Sequence, residues 1–171
     1  PSIDVALFGR MVADEPSLNT DACAQVAHSI STHKVSREYD YFTAVDDLAP
    51  EDNTGAGHIG TIEFSSSTLY RYATIAVHDL YAYLNEGTAD AVCGFVQAFV
   101  YSMPTGKQNT FAAHNPPEFM LATVRRNTVP RNLANAFETA IRARDNLTRS
   151  SANALLDKAK ELHGAIGREV K

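Results

Sequence analysis

Residues 37–77 fit a long antiparallel hairpin followed by a further strand, and they fit little else. Two runs rich in aromatic and β-branched residues, Tyr39-Asp40-Tyr41-Phe42-Thr43-Ala44-Val45 and Ile59-Gly60-Thr61-Ile62-Glu63-Phe64, flank a tip of turn formers, Pro50-Glu51-Asp52-Asn53-Thr54-Gly55-Ala56-Gly57. A third run over residues 68–77 follows almost at once. Gly, Pro, Asn and Asp at the ends of such runs mark strand boundaries. A hairpin this long, with such a tip, projects to touch something. In the two-residue period of a strand, Tyr41 and Phe42 point to opposite faces. An aromatic side chain on a projecting hairpin stacks on or wedges between bases without reading their sequence. Ordinary cross-strand packing explains the same pair equally well.

The remainder reads as an antiparallel α+β arrangement in one domain. Ile3-Asp4-Val5-Ala6-Leu7-Phe8-Gly9-Arg10-Met11 has the look of a strand that starts abruptly at residue 1, as in a piece of a longer polypeptide. From an N-cap at Asn19 or Thr20, the residues Cys23, Val26, Ala27 and Ile30 recur at helical spacing and predict a helix ending within residues 31–34. A short helical turn near residues 80–84 breaks at Asn85-Glu86-Gly87. Thr88 then caps a second helix with Val92, Phe95, Val96, Phe99 and Val100 on one face, stopped by Pro104. A polar loop (104–117), a strand (119–124) and two amphipathic helices (133–144 and 151–162) complete the chain, with residues 164–171 fraying.

Charge bears directly on partners. Fifteen Lys and Arg against twenty Asp and Glu give a net charge of −5, whereas a chain that binds nucleic acid unaided carries a basic excess or a basic face. The acidic residues gather near 46–52, and Arg125, Arg126, Arg131, Arg142, Arg144 and Arg149 make the last third more basic. No apolar run approaches the roughly 18–20 residues of a membrane span, and no basic segment leads into an apolar signal core. These features predict a soluble, cytoplasmic protein with no membrane partner. Cys23 and Cys93 sit in helix-like apolar patterns and read as buried thiols rather than a disulfide or a metal site.

Three constellations invite chemistry. Asp46-Asp47 with His58 suggests a Mg²⁺-dependent nuclease, but the spacing fits no ligand motif and acidic residues at the base of a tip are ordinary solvated turn residues. The histidines are scattered: His28 and His33 fall on different faces of the expected helix, and neither His78 nor His114 has a clustered carboxylate or thiol. Gly106-Lys107-Gln108-Asn109-Thr110 lacks the upstream Gly and the Ser or Thr of a nucleotide-binding P-loop. Its Gly, Lys and amides nevertheless suit a nucleic-acid backbone, as well as they suit a plain surface turn.

Taken in order, these segments resemble the CasC family, the repeating backbone subunit of the type I-E CRISPR Cascade surveillance complex. The matching stretches are Val5 through Met11, Ala27-His28-Ser29-Ile30-Ser31-Thr32-His33, Asp40 through Leu48, His58 through Ser66, Tyr70-Arg71-Tyr72-Ala73, Lys107 through Ala113 and Ala134-Asn135-Ala136-Phe137-Glu138. The resemblance implies an RNA-recognition-motif-like (ferredoxin-like) palm with a protruding β-hairpin thumb at about residues 37–60. Here the palm is incomplete, since residues 1–171 match the C-terminal half only, without the N-terminal half and most of the finger region. It implies a non-catalytic role in antiviral defence, no cofactor, and CRISPR RNA as the ligand, kinked by the thumb and left open to pair with target DNA. Its partners are neighbouring copies and other Cascade subunits. On this analogy Tyr41, Phe42, Thr43 and Val45 sit at the kink, Arg10 and Met11 lie on the palm beside it, and Lys107, Gln108 and Asn109 lie near the guide backbone. The absent half would carry much of the RNA-binding charge, so the chain is not expected to bind RNA unaided. The rival reading is a Mg²⁺-dependent ribonuclease of a type III-like effector, with Asp46 or Asp47 as its carboxylate.

Overall fold

The computed structural model describes residues 1–44, 58–142 and 144–166. In chain order, helix α1 (Ile3–Phe8) is followed by strands β1 (Ala24–Val26), β2 (Ile30–Ser31), β3 (Glu38–Ala44), β4 (His58–Phe64), β5 (Leu69–Tyr70) and β6 (Ala73–Ile75). Helices α2 (Val77–Leu84), α3 (Thr88–Tyr101), α4 (Gln108–Phe111) and α5 (Leu147–Ile166) follow, with 3₁₀ turns at Pro16–Leu18, Asn85–Gly87 and Ala134–Phe137. The class is mixed helix and sheet. Among the described residues, the strands form three two-stranded antiparallel ladders, β1–β6, β2–β5 and β3–β4.

These elements make two compact units. The first combines Pro1–Ser29 with Arg71–Asn132. Its core holds Ala6, Leu7, Cys23, Ala24, Leu80 and Ala91, with Ile75, Tyr83, Leu84, Val92 and Phe95 packed against them. The chain enters this core through α1, where the Ser2 hydroxyl and the Val5 amide hold the Asp4 carboxyl below the usual carboxylate range. That negative charge in the first turn favours the helix. Burial, reinforced by the negative charge of Asp79, pushes the Cys23 thiol up, so it remains a protonated, unreactive core group. On α3 the Phe95 and Phe99 rings lie parallel, 6.1 Å apart, and the Arg71 guanidinium sits 4.5 Å over Phe99.

The second unit combines Ile30–Tyr70 with Leu133–Lys171. Thr32 is a buried polar residue at its centre of hydrogen bonding. The Ser151 hydroxyl lies 2.7 Å from Thr32 Oγ1 and 2.6 Å from the Leu147 carbonyl, while Thr32 Oγ1 donates to Thr68 O at 3.3 Å. Together these bonds tie α5 to the β2–β5 ladder. The root of the β3–β4 hairpin is fixed by His33, whose Nε2 accepts from the Thr68 amide at 3.0 Å and whose Nδ1 lies 2.9 Å from the Lys34 carbonyl. Since a carbonyl only accepts and an amide N–H only donates, the proton sits on Nδ1.

Several sequence expectations are corrected here. Residues 3–8 are helical, not a strand: a short apolar run does not distinguish the two by periodicity, and Gly9 ends the helix with φ 77°. The expected helix from Asn19 or Thr20 is instead β1 and β2, because residues 24–26 find partners at 73–75 and residues 30–31 at 69–70. Thr88 does not cap α3; its hydroxyl donates back to Asn85 O at 2.6 Å, and Gly87 flanks the helix. Residues 119–124 form no strand and have no ladder partner, and Val124 is 96% exposed. The expected helix at 133–144 shrinks to the turn Ala134–Phe137, since the Ile141 amide bonds Thr32 O at 2.9 Å instead of closing a helical turn. Cys93 is exposed, not buried.

Candidate nucleic-acid interface

Strand β3 is exposed along its whole length, as a hairpin that meets a partner requires. Its register pairs Tyr41 with Thr61, Phe42 with Gly60 and Thr43 with Ile59. Tyr39, Tyr41 and Thr43 therefore share one face with Glu63, Thr61 and Ile59, and Asp40 and Phe42 share the other with Ile62 and Gly60. The expected division of Tyr41 and Phe42 between faces is observed, and it is unequal. Tyr41 is 76% exposed, whereas the Phe42 ring lies over Gly60 so closely that a Cβ there would stand 2.6 Å from its Cε1. An aromatic laid across a strand glycine fills the gap left by the missing side chain and stiffens the pair. Arg37 and Glu63, both largely exposed, form a 3.6 Å ion pair at the hairpin root that contributes little on its own.

One consequence is directly measurable. Gly60→Ala places its methyl group inside the space of the Phe42 ring, so the ring must swing away. Thermal unfolding should show a loss of about 1 kcal/mol, the scale of a cross-strand aromatic pair, and ring-proton chemical shifts of Phe42 should move. Unchanged shifts would mean that the ring does not rest on Gly60.

Residues 45–57 fall outside the described residues, so Val45, Asp46 and Asp47 receive no placement. The other expected site residues divide between the two units. Tyr41, Phe42 and Thr43 belong to the second unit, and Arg10, Met11, Lys107, Gln108 and Asn109 to the first. The Arg10 backbone exchanges 2.9 Å hydrogen bonds in both directions with Thr20. Its Nε and Nη2 both donate to Leu18 O, at 2.9 and 2.7 Å, so its guanidinium clasps its own loop. Met11 beside it is 87% exposed. Lys107, in the left-handed region at φ 61°, precedes the single helical turn of α4. It is exposed, as is Asn109, whereas Gln108 is half-buried. Gln108 also lines a cavity of about 260 Å³ with Val100, Tyr101, Met103, His114, Asn115 and Pro116.

Sequence reasoning missed Gly60 as the seat of Phe42, the tie made by His33, and the Tyr101–His114 cavity. Only Gly60 left a signal, a glycine inside an otherwise regular strand pattern. Among the described residues, no three His, Cys, Asp or Glu side chains gather as a metal site, and no helix is long and apolar enough to cross a membrane.

A family model described as "CT1975-like protein" matches residues 1–170. Among solved structures, a chain of "CRISPR RNA-guided surveillance complex, pre-nicking" superposes with a TM-score of 0.84 at 35% identity, covering 96% of this chain and 45% of that one. A chain of "CRISPR RNA-guided surveillance complex" superposes with a TM-score of 0.81 at 36% identity, covering 95% of this chain and 63% of the other. This chain therefore spans less than two thirds of either relative. No curated protein matches. The resemblance to CRISPR Cascade subunits read from the sequence is borne out by the family and structural matches.

Proposed function

The chain belongs to the CT1975-like protein family, and from that premise we propose that it serves as a non-catalytic, CRISPR RNA-binding backbone subunit of a Cascade-type surveillance complex. The observation that carries this reading is the match over 96% of the chain, at 35% identity, to a chain of a CRISPR RNA-guided surveillance complex. Residues 1–171 correspond to the C-terminal part of the palm. The hairpin at residues 37–60 is the thumb. It lies over the guide and kinks it, with Tyr41 offering an exposed ring and Phe42 braced on Gly60, and Thr43 and Val45 also contact the guide at the kink. Met11, Arg10, Lys107, Gln108 and Asn109, which belong to the first unit, contact the guide from the palm. Arg10 there either releases Leu18 or contacts phosphate with the guanidinium N–H groups that Leu18 does not take.

A net charge of −5 sets the terms of binding. The chain does not gather RNA by bulk attraction, so local stacking and single phosphate contacts have to act together with the positive charge of its assembly partners. Sequence recognition is left to base pairing between guide and target DNA, and the protein reads backbone and shape. Neighbouring copies and other Cascade subunits complete the assembly.

The test uses the complex assembled with its partners and guide. Tyr41→Ala and Phe42→Ala should each weaken guide retention or target binding about tenfold, the lower part of the range for losing one base–aromatic stack. A nuclease footprint and affinity unchanged in both variants would sink the thumb assignment. Material whose absorbance shows no retained RNA at low salt, with all partners present, would sink the function itself.

A further inference from the structure

We infer that the cavity at the C-terminal end of α3 is a pocket for one unstacked nucleobase, lined by Tyr101 and His114 as stacking partners and by the amides of Gln108 and Asn115 as contacts to a base edge. This rests on the RNA-binding reading above and adds to it a base contact made by the first unit.

The chemistry is that of single-stranded RNA recognition, in which an aromatic side chain stacks on the base while amide groups meet its polar edge. Tyr101 is 76% exposed at the end of its helix, so its ring is free to meet a base. His114 and Asn115 approach from the loop after α4, where the His114 amide donates to Ala112 O at 2.8 Å and holds a tight turn. An amide side chain offers both a donor and an acceptor, so Gln108 and Asn115 suit the mixed edge of any base. One lining residue is tied as well: Arg71 stacks on Phe99 and donates from Nη1 to Met103 Sδ at 3.9 Å. The volume of about 260 Å³ falls just below the range of drug-sized ligand sites and suits a single ring system. Lys107 precedes Gln108 directly and is exposed, so a phosphate of the same nucleotide has a cation within one residue of the pocket.

Two probes applied to the assembled complex separate this inference from the reading beneath it. Hydroxyl-radical footprinting reports the RNA backbone, and dimethyl sulfate reports exposed base edges. In Tyr101→Ala, one base per bound subunit should become about tenfold more reactive to dimethyl sulfate while backbone protection persists. Tyr101→Phe, which keeps the ring, should behave as the parent does. Persisting backbone protection with unchanged base reactivity in both Tyr101→Ala and Asn115→Ala would overturn the pocket and leave the RNA-binding role standing. Absence of any backbone footprint in the parent complex would overturn both. Tyr101 lies on the surface, so circular dichroism of Tyr101→Ala should match the parent and exclude misfolding as the cause.

Discussion

Leu80→Ala should lower the unfolding free energy by about 3–5 kcal/mol, the upper part of the range for leucine truncation. Leu80 is fully buried, and the other buried members of its cluster are Ala6, Leu7, Cys23, Ala24 and Ala91. Four of those five are small. The alanines and the cysteine cannot fold inward to fill the space, so recovery of the lost packing falls to Leu7 and to the Ile75, Tyr83, Leu84, Val92 and Phe95 side chains at the edge of the cluster. The result would be read in urea, where the midpoint should fall with little change in slope, as expected for a stability loss without a change in the surface exposed. Leu80→Ile keeps the volume and should cost less than about 1.5 kcal/mol. Equal effects from the two variants would show that shape, not volume, governs the site. A loss under about 1 kcal/mol in Leu80→Ala would mean that the first unit is not organised around this side chain. Since native domains are stable by only about 5–15 kcal/mol, the expected loss is a large part of the whole.

What the sequence revealed follows from the range over which each signal acts. The hairpin strands were legible because alternation and turn residues are local: residues 39–45 and 59–64 were expected, and β3 and β4 run over Glu38–Ala44 and His58–Phe64. The break at Asn85-Glu86-Gly87 and the end of α3 before Pro104 were legible for the same reason. Residues 24–31 were misread because their strand character comes from partners at residues 69–75, and the helical recurrence of Cys23, Val26, Ala27 and Ile30 is blind to such partners. Likewise the chain at residue 141 leaves the helical path because Thr32 supplies its acceptor. In the candidate site, the opposite orientation of Tyr41 and Phe42 needed only the strand period. The seating of Phe42 on Gly60 needed the register, which a long connection between strands leaves open. The use of Arg10 on Leu18 could not be read either, since it depends on a loop folding back through the Arg10–Thr20 bridge.

Gly9→Ala is the sharper test of how that loop is held. Gly9 has φ 77° and ψ 173°, a region that residues with a Cβ occupy only at a cost of about 1–3 kcal/mol. A Cβ would also stand 2.9 Å from Thr20 O, 3.1 Å from Ala22 N and 3.3 Å from Ala22 Cβ. Two of these neighbours are backbone atoms, which cannot swing aside as a side-chain tip does. They are tied by the paired 2.9 Å Arg10–Thr20 bonds and by the bond from the Cys23 amide to Ala6 O at 3.1 Å. Conformational strain and steric overlap therefore add, and the expected loss is about 2–4 kcal/mol, within the range for strain at a special backbone position. Gly94→Ala provides the contrast. Gly94 lies inside α3, has no atom within 4 Å of the added methyl, and should gain about 0.5–1 kcal/mol from reduced backbone freedom. Relief in Gly9→Ala requires Arg10 to leave Thr20, which also frees its guanidinium from Leu18 and shifts Met11, so amide exchange at Arg10 and Thr20 should accelerate well before global unfolding. If both glycine variants proved equally stable and the Thr20 amide stayed protected, the Gly9 conformation would not be what holds Arg10 and Met11 in place.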